Sequence, residues 1–331
     1  MKDGRSLVFS IVLSLVIVSV IHIYMFITTP VLLSGPVTLN IKSGTSAWNI
    51  SKELKNSDII SSASLFMLTA LSSQKARHLQ AGIYVFEGKL CPKEVIDIIF
   101  HGKTLMYKVT IPEGSNIFDI GNILSAKGLI NKDEFIRLAN SKELLEFFNL
   151  DTPTMEGYLS PETYYLSPNM TPIEIMGVMI NQFHHVYTPE LAERAGDLGL
   201  SPKEVITLAS IIEKEAVCPQ EMPLISAVFH NRLKRGMRLQ SDPTAIYGIE
   251  DFHRKIAKKD LMRNSAYNTY RHSGLPPGPI CNPGKRAIIA ALYPAKKDYL
   301  YFVSKGDGHH HFSSTLAEHN RAINRTRKAK K

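Results

Sequence analysis

Cysteine is scarce in this sequence: Cys91, Cys218 and Cys281 are the three in 331 residues. An odd number leaves at least one thiol unpaired, and the spacing fits no zinc pattern. A disulfide framework or a cysteine-ligated metal is therefore not what organises the chain. All three are expected to be small buried hydrophobes, with a Cys218–Cys281 disulfide the one pairing left open. Recognised nucleic-acid motifs are missing as well. This matters because the net charge is +9, which calls for an anionic partner. With no nucleic acid expected, lipid headgroups or an acidic polymer remain.

Charge is absent from residues 6–27, which hold no Asp, Glu, Lys or Arg. As a helix this run spans about 33 Å, enough to cross the hydrocarbon core. Lys2 and Arg5 lie just before it. The positive-inside rule then predicts residues 1–5 in the cytoplasm and a single-pass anchor at 6–27 in the lipid of the inner (plasma) membrane. The rest is expected outside. A cleaved signal peptide is the competing reading. Against it, the apolar run exceeds a usual signal core, and no small-x-small site follows in 28–33. Acids are absent from 321–331, where six basic residues form what is expected to be a solvated end.

What is present begins with an internal repeat. Residues 37–44 resemble 107–114: at an offset of 70, Ile41 matches Ile111, Gly44 matches Gly114 and Trp48 matches Phe118. Ile50, Leu54 and Ile60 match Ile120, Leu124 and Ile130. A second offset of 80 relates Tyr84, Pro92 and Glu94 to Tyr164, Pro172 and Glu174. Each copy reads as an alternating strand, a glycine turn and two helices. Such units cannot bury their faces alone and should pack together. A small carbohydrate-binding module and a plain spacer are equally compatible with the pattern.

Residues 201–217 read as one helix. Ser201 is a good N-cap, Pro202 suits the first helical position, and Glu204 completes a capping box. Val205, Leu208, Ile211, Ile212 and Glu215 recur at steps of three or four and share one stripe. Glu215 thus continues an apolar face, while Glu213 points about 200° away. A carboxyl group on an apolar face loses hydration, which raises its pKa and lets it donate a proton near neutrality. The bland alternative is that Glu215 turns out to solvent in the last turn.

Beyond it, 222–236 reads as a helix with Val228, Phe229 and Leu233 on one face. Residues 237–244 read as a strand or loop entering a turn at Asp242-Pro243. The 274–280 stretch has too many prolines and glycines for regular structure and is expected to line a cleft. Tyr299–Val303 reads as a buried strand. Three consecutive histidines, 309–311, cannot all face one ion from a strand, so no metal is expected there. His311 is the one expected to hydrogen-bond in the cleft.

The segments LASIIEKEA (208–216), VFHNRL (228–233), GMRLQSDPTAIYG (236–248), AYNTY (266–270), GLPPGPICNPG (274–284) and YLYFVSKGDGHHHF (299–312), in this order, resemble the YceG-like family of endolytic murein transglycosylases. The resemblance spans nearly the whole chain. It implies an α+β architecture: a transmembrane helix, a LysM-like β-α-α module at 37–106, a second repeat-like module at 107–190, and a mixed α/β catalytic domain at 191–331. It implies peptidoglycan glycan strands as substrate, cleavage of the β-1,4 bond between N-acetylmuramic acid and N-acetylglucosamine, and 1,6-anhydro ends. The catalytic glutamate falls on Glu215. One carboxyl group suffices if the muramic C6 hydroxyl attacks its own C1. No metal or organic cofactor is called for, and glycan synthases in the same membrane are the implied protein partners. Asn231, Gln240, Asp242, Tyr267, Asn268 and Tyr270 carry the amide, carboxyl and aromatic groups that glycan sites use. A two-carboxylate hydrolase pairing Glu215 with Asp242, and a non-catalytic peptidoglycan-binding scaffold, remain as alternatives.

Overall fold

The computed structural model describes residues 2–249 and 256–329. Lys330 and Lys331 of the basic tail lie outside the described residues, as do the side chains of Lys2, Arg5 and Lys328. Helices and strands are mixed, and the strands occur only as two-stranded pairs among the described residues. The chain forms two compact units, residues 1–107 with 165–169, and 108–164 with 170–331.

The first unit opens with the Lys2–Thr28 helix. Its Val8–Thr28 part is the one helix among the described residues long and apolar enough to cross a membrane. Phe26, in its last turn, is buried in the core of this unit. Strand Val37–Ile41 pairs antiparallel with Gly82–Phe86, from Val37 opposite Phe86 to Ile41 opposite Gly82. Alternation along the first strand turns Leu39 and Ile41 inward. Helices Ala47–Asn56 and Ala63–Ser72 lie between the strands, capped by Ser46 and Ser62, which accept from Asn49 N and Leu65 N. Helix Pro92–Phe100 follows. Ile50, Leu54, Phe66, Tyr84, Phe86, Val95 and Ile99 fill the core.

The second copy repeats this plan. Strand Tyr107–Thr110 pairs with Thr163–Leu166, with helices Ile117–Ala126 and Lys132–Ala139 between them and Pro172–Val186 after. Most matched positions share their environments; the exception is Ile60, which is buried where Ile130 is half-buried. Ile41 and Ile111, Ile50 and Ile120, and Leu54 and Leu124 are buried, whereas Trp48 and Phe118 are both 41% exposed. Gly44 and Gly114 both turn the chain at positive φ, +80° and +76°, where only glycine is free of strain. The Tyr84 and Tyr164 hydroxyls each donate to a carbonyl four residues back, Gln80 at 2.8 Å and Ser160 at 2.5 Å. Pro92 and Pro172 each open a helix that Glu94 or Glu174 completes as a capping box. The offset grows from 70 to 80 because the second copy carries the extra short helix Lys142–Phe147 and the loop after it.

The Pro202–Glu215 helix is the spine of the second unit. Ser201 Oγ accepts from Glu204 N at 3.3 Å, and Glu204 Oε2 accepts from Ser201 N at 2.8 Å. Every residue from Val205 to Ile212 is buried, on all sides of the helix, as expected for a helix enclosed by others. Helix Lys285–Leu292 packs along it, and Met222–Lys234 packs on both. Strands Tyr301–Ser304 and His310–Ser313 form an antiparallel hairpin, backed by helix Leu316–Ala329.

Several expectations need correction here. All three cysteines are free, and Cys281 alone is fully buried. Cys218 is half-buried and its thiol donates to Gln220 Oε1 at 2.9 Å, so no 218–281 disulfide exists. The strand at 299–303 starts at Tyr301 and is half-buried, because it is one strand of a two-stranded hairpin with a single covered face. Residues 242–246 form a short helix, not a plain turn, with Pro243 in its first turn.

Candidate active site

The end of the Pro202–Glu215 helix opens into a cleft of about 370 Å³. Glu215, Arg232, Gln240, Asp242, Tyr270, His310 and His319 are among its lining residues. Ser241 Oγ donates to Glu215 Oε1 at 2.5 Å. Ser241 is itself fixed, since its N–H donates to Thr269 Oγ1 at 3.0 Å. Burial pushes the Glu215 carboxyl up to about 7 against the pull of the Ser241 hydroxyl, and the Asp242 charge adds to the rise. A place in the last helical turn, at the negative end of the helix dipole, acts in the same direction. The Arg232 guanidinium pulls the other way. A carboxyl group in this range holds its proton and releases it at neutral pH, as a general acid must.

Arg232 was not expected in the site. It is buried on the Met222–Lys234 helix, 3 and 4 residues after the buried Phe229 and Val228. Its guanidinium donates to Leu300 O and Leu239 O, both at 2.7 Å, and lies over the Tyr301 ring. Those carbonyls hold a fixed positive charge at the cleft wall. The one sequence signal for it was a cation falling on an apolar helix face.

Glu215, Gln240, Asp242 and Tyr270 come together in the cleft. The Tyr270 hydroxyl donates to Asp242 Oδ1, which joins the two candidate groups. Gln240 holds φ +50°, a left-handed backbone that costs a non-glycine residue about 1–2 kcal/mol. Strain of this kind persists where the surroundings impose it, often at functional sites. Gln240 N donates to Thr269 O at 3.2 Å, and the side chain is left exposed.

The other candidates stand elsewhere. Asn231 spends its amide on Lys297 O and Tyr299 O, at 2.8 and 2.9 Å. Asn268 is fully buried and spends its own on Leu261 O, Arg263 O and Tyr270 N. Tyr267 packs on Tyr247, with ring centroids 4.6 Å apart. Of residues 266–284, Tyr270 alone is among the lining residues. The Gly274–Ile280 stretch instead runs into the core, where Ile280 N donates to Ser210 Oγ at 3.0 Å. His311 is exposed, and His310 takes the place expected for it. Neighbouring residues in a strand point to opposite faces, and the register sets His310 opposite Ser304 with its side chain inward. No group of three or more metal-ligating side chains occurs among the described residues.

Glu213 faces away from the cleft, as its helix position predicts. Its Oε2 accepts from Gly284 N at 2.9 Å, and burial together with nearby Glu113 raises its pKa against that bond. Beside it, Lys214 Nζ donates to Gly114 O at 3.3 Å. The glycine turn of the second repeat thus holds the turn that carries Glu215.

With this geometry in place, the sequence model of the YceG-like family matches residues 39–325. The chain belongs to the YceG-like family. A Bacillus subtilis (strain 168) relative, named endolytic murein transglycosylase, is 32% identical over 305 residues, or 86% of this chain and 83% of that one. A Streptococcus pneumoniae (serotype 2, strain D39) protein of the same name is 26% identical over 319 residues; the match spans 87% of this chain and 58% of the relative. The crystal structure of a YceG-like protein from Listeria monocytogenes matches with a TM-score of 0.60 at 32% identity, over 87% of this chain and 99% of that one.

In this YceG-like chain Ser241 offers a direct test of how Glu215 is tuned. Its hydroxyl bond lowers the Glu215 pKa. Ser241→Ala should therefore raise that pKa further and move the alkaline limb of the kcat/KM profile to higher pH. A limb that stays in place would mean that Glu215 is not the titrating acid.

Proposed function

We propose that this chain is an endolytic lytic transglycosylase. It cleaves the β-1,4 bond between N-acetylmuramic acid and N-acetylglucosamine within peptidoglycan strands and leaves 1,6-anhydro ends. The relatives' name supports the reaction class. The observation behind the mechanism is the Glu215 carboxyl group, raised by burial to about 7 in a polar cleft that Asp242 also lines. Glu215 protonates the leaving glycosidic oxygen. Its carboxylate then takes the proton of the C6 hydroxyl as O6 bonds to C1. The nucleophile is tethered to the sugar it attacks, so no second carboxylate is needed. The scheme uses no metal or organic cofactor.

The second reading is a hydrolase in which Asp242 activates water, favoured by Asp242 lining the same cleft. Mass spectrometry of fragments released from purified peptidoglycan separates the two. Anhydro-ended fragments support the transglycosylase, and reducing ends would replace it with the hydrolase. Bound but unshortened strands would leave a scaffold.

The same reading assigns residues 6–27 as a retained single-pass anchor, with a LysM-like glycan-binding module at 37–106, its repeat at 107–190 and the catalytic domain at 191–331. Burial of Phe26 in the core of the first unit supports retention, since removing the helix would strip that core. The intact mass of the purified full chain decides it. Glycan synthases are the partners that this placement suggests, and co-purification that recovers none would count against them.

A further inference from the structure

His310 lines the cleft with Glu215 and has no role in the scheme above. Its side chain is 8% exposed and its Nδ1 lies 2.7 Å from Glu221 Oε2. The His310 backbone N–H also donates to both Glu221 oxygens at 3.1 Å. His309 Nδ1 approaches the same carboxyl at 3.2 Å, from a side chain that is 51% exposed. Burial pushes the Glu221 carboxyl up, but the bonds from His310 and His309 outweigh it and leave the pKa lowered. Glu221 is therefore an acceptor, and the His310 nitrogen facing it carries the proton. Phe302 meets the ring edge-on at 5.3 Å and limits its rotation. Nε2 then carries the lone pair in the neutral ring, and it has no partner among the described residues. A carboxylate that fixes one nitrogen of an imidazole and turns the other toward a cleft is an arrangement that orients a ligand contact.

We propose that His310 contacts the glycan, with Nε2 accepting a hydrogen bond from a sugar hydroxyl or an acetamido N–H while Glu221 holds the ring in place. This rests on the proposed glycan substrate. The plain alternative is that the pair only clamps the 301–313 hairpin to the start of the Met222–Lys234 helix.

Two amide substitutions separate these roles in the full chain. His310→Asn places an amide nitrogen near Nδ1, so it keeps the clamp and loses the cleft-facing acceptor. His310→Gln reaches toward Nε2 and loses the clamp. For a glycan contact, His310→Asn should raise KM for peptidoglycan strands about tenfold with kcat and Tm little changed. His310→Gln should recover part of the KM and show the lower Tm. His310→Asn with the parent's KM, beside a parent that releases anhydro fragments, overturns the contact and leaves the reaction standing. If the parent releases nothing, binding of GlcNAc–MurNAc oligomers is compared between Glu215→Gln and Glu215→Gln with His310→Asn. A tenfold loss supports the contact, equal affinity overturns it, and no binding by either overturns the contact together with the glycan reading.

Discussion

Glu215→Gln should lower glycan cleavage by roughly 10²–10⁴-fold, the usual worth of a positioned general acid–base. Glutamine has the same shape, and its carbonyl oxygen can still accept the Ser241 hydroxyl bond that Glu215 accepts at 2.5 Å. It cannot donate a proton to a leaving oxygen. The effect should therefore lie in kcat, with KM held near the parent's. Since the reaction begins with the protonated acid, parent kcat/KM should fall as the pH rises through about 7, where burial has set this carboxyl. Stability should show the opposite trend between the two proteins. A folded pKa raised above the unfolded value means that ionisation is disfavoured in the fold, so the parent loses stability as pH rises through about 7. The glutamine variant has no such loss and should be the more stable of the two at pH 8. Retention of most of the activity by the variant would end the single-glutamate mechanism. Higher stability in an inactive variant is the signature of a site that pays in stability for its function.

Why Glu215 was legible in the sequence, and Arg232 and His310 were not, follows from what fixes each. A helix imposes its period locally, so one carboxylate continuing the Val205–Ile212 stripe could be placed from spacing alone. Arg232 owes its position to the carbonyls of Leu239 and Leu300, which arrive from a loop and a strand that the helix pattern does not describe. His310 depended on the hairpin register, because three successive histidines satisfy either parity of a strand. Asn231 and Asn268 were the reverse case. Their amides suit sugars, but the irregular segments around them left backbone carbonyls to satisfy, and the amides are spent there. The repeat was readable as a strand, a turn and two helices because Gly44 and Gly114, and the buried Ile and Leu positions after them, keep one spacing. Its closing strand and third helix showed only as a second offset, since the inserted Lys142–Phe147 helix breaks the period.

Asn282→Ala should destabilise the second unit by about 3–5 kcal/mol, the cost of leaving several buried polar groups without partners. Asn282 is fully buried, and its amide makes four bonds. Nδ2 donates to Ser115 O and Glu156 Oε1, and Oδ1 accepts from Gly157 N and Leu159 N, all at 2.9 Å. Gly157 stands where the backbone is closely packed against its neighbours. It holds φ +89°, and a Cβ there would lie 2.5 Å from Pro279 and 2.8 Å from Ile206. Glu156 is buried too, and its Oε2 accepts from Ile117 N at 3.2 Å and Tyr247 Oη at 3.0 Å. Burial pushes it up to about 8 against those bonds, so the fold loses stability as pH rises through about 8. Removing Asn282 takes away one donor that lowers this pKa and should raise it further. The damage is expected to reach the cleft, since Tyr247 follows directly on the Asp242–Ile246 helix and Asn282 O holds Gly114 N at 3.0 Å. Amide exchange in the full chain reads it residue by residue. Gly157 and Leu159 should exchange about 10²–10⁴-fold faster in the variant, by conversion of 3–5 kcal/mol at 1.4 kcal/mol per tenfold. The first unit, whose core of Ile50, Leu54, Phe66 and Tyr84 does not include Asn282, should exchange at the parent's rate. Unchanged exchange at Gly157 and Leu159 would mean that water replaces the amide at no cost, and that the network does not hold the turn beneath Glu215.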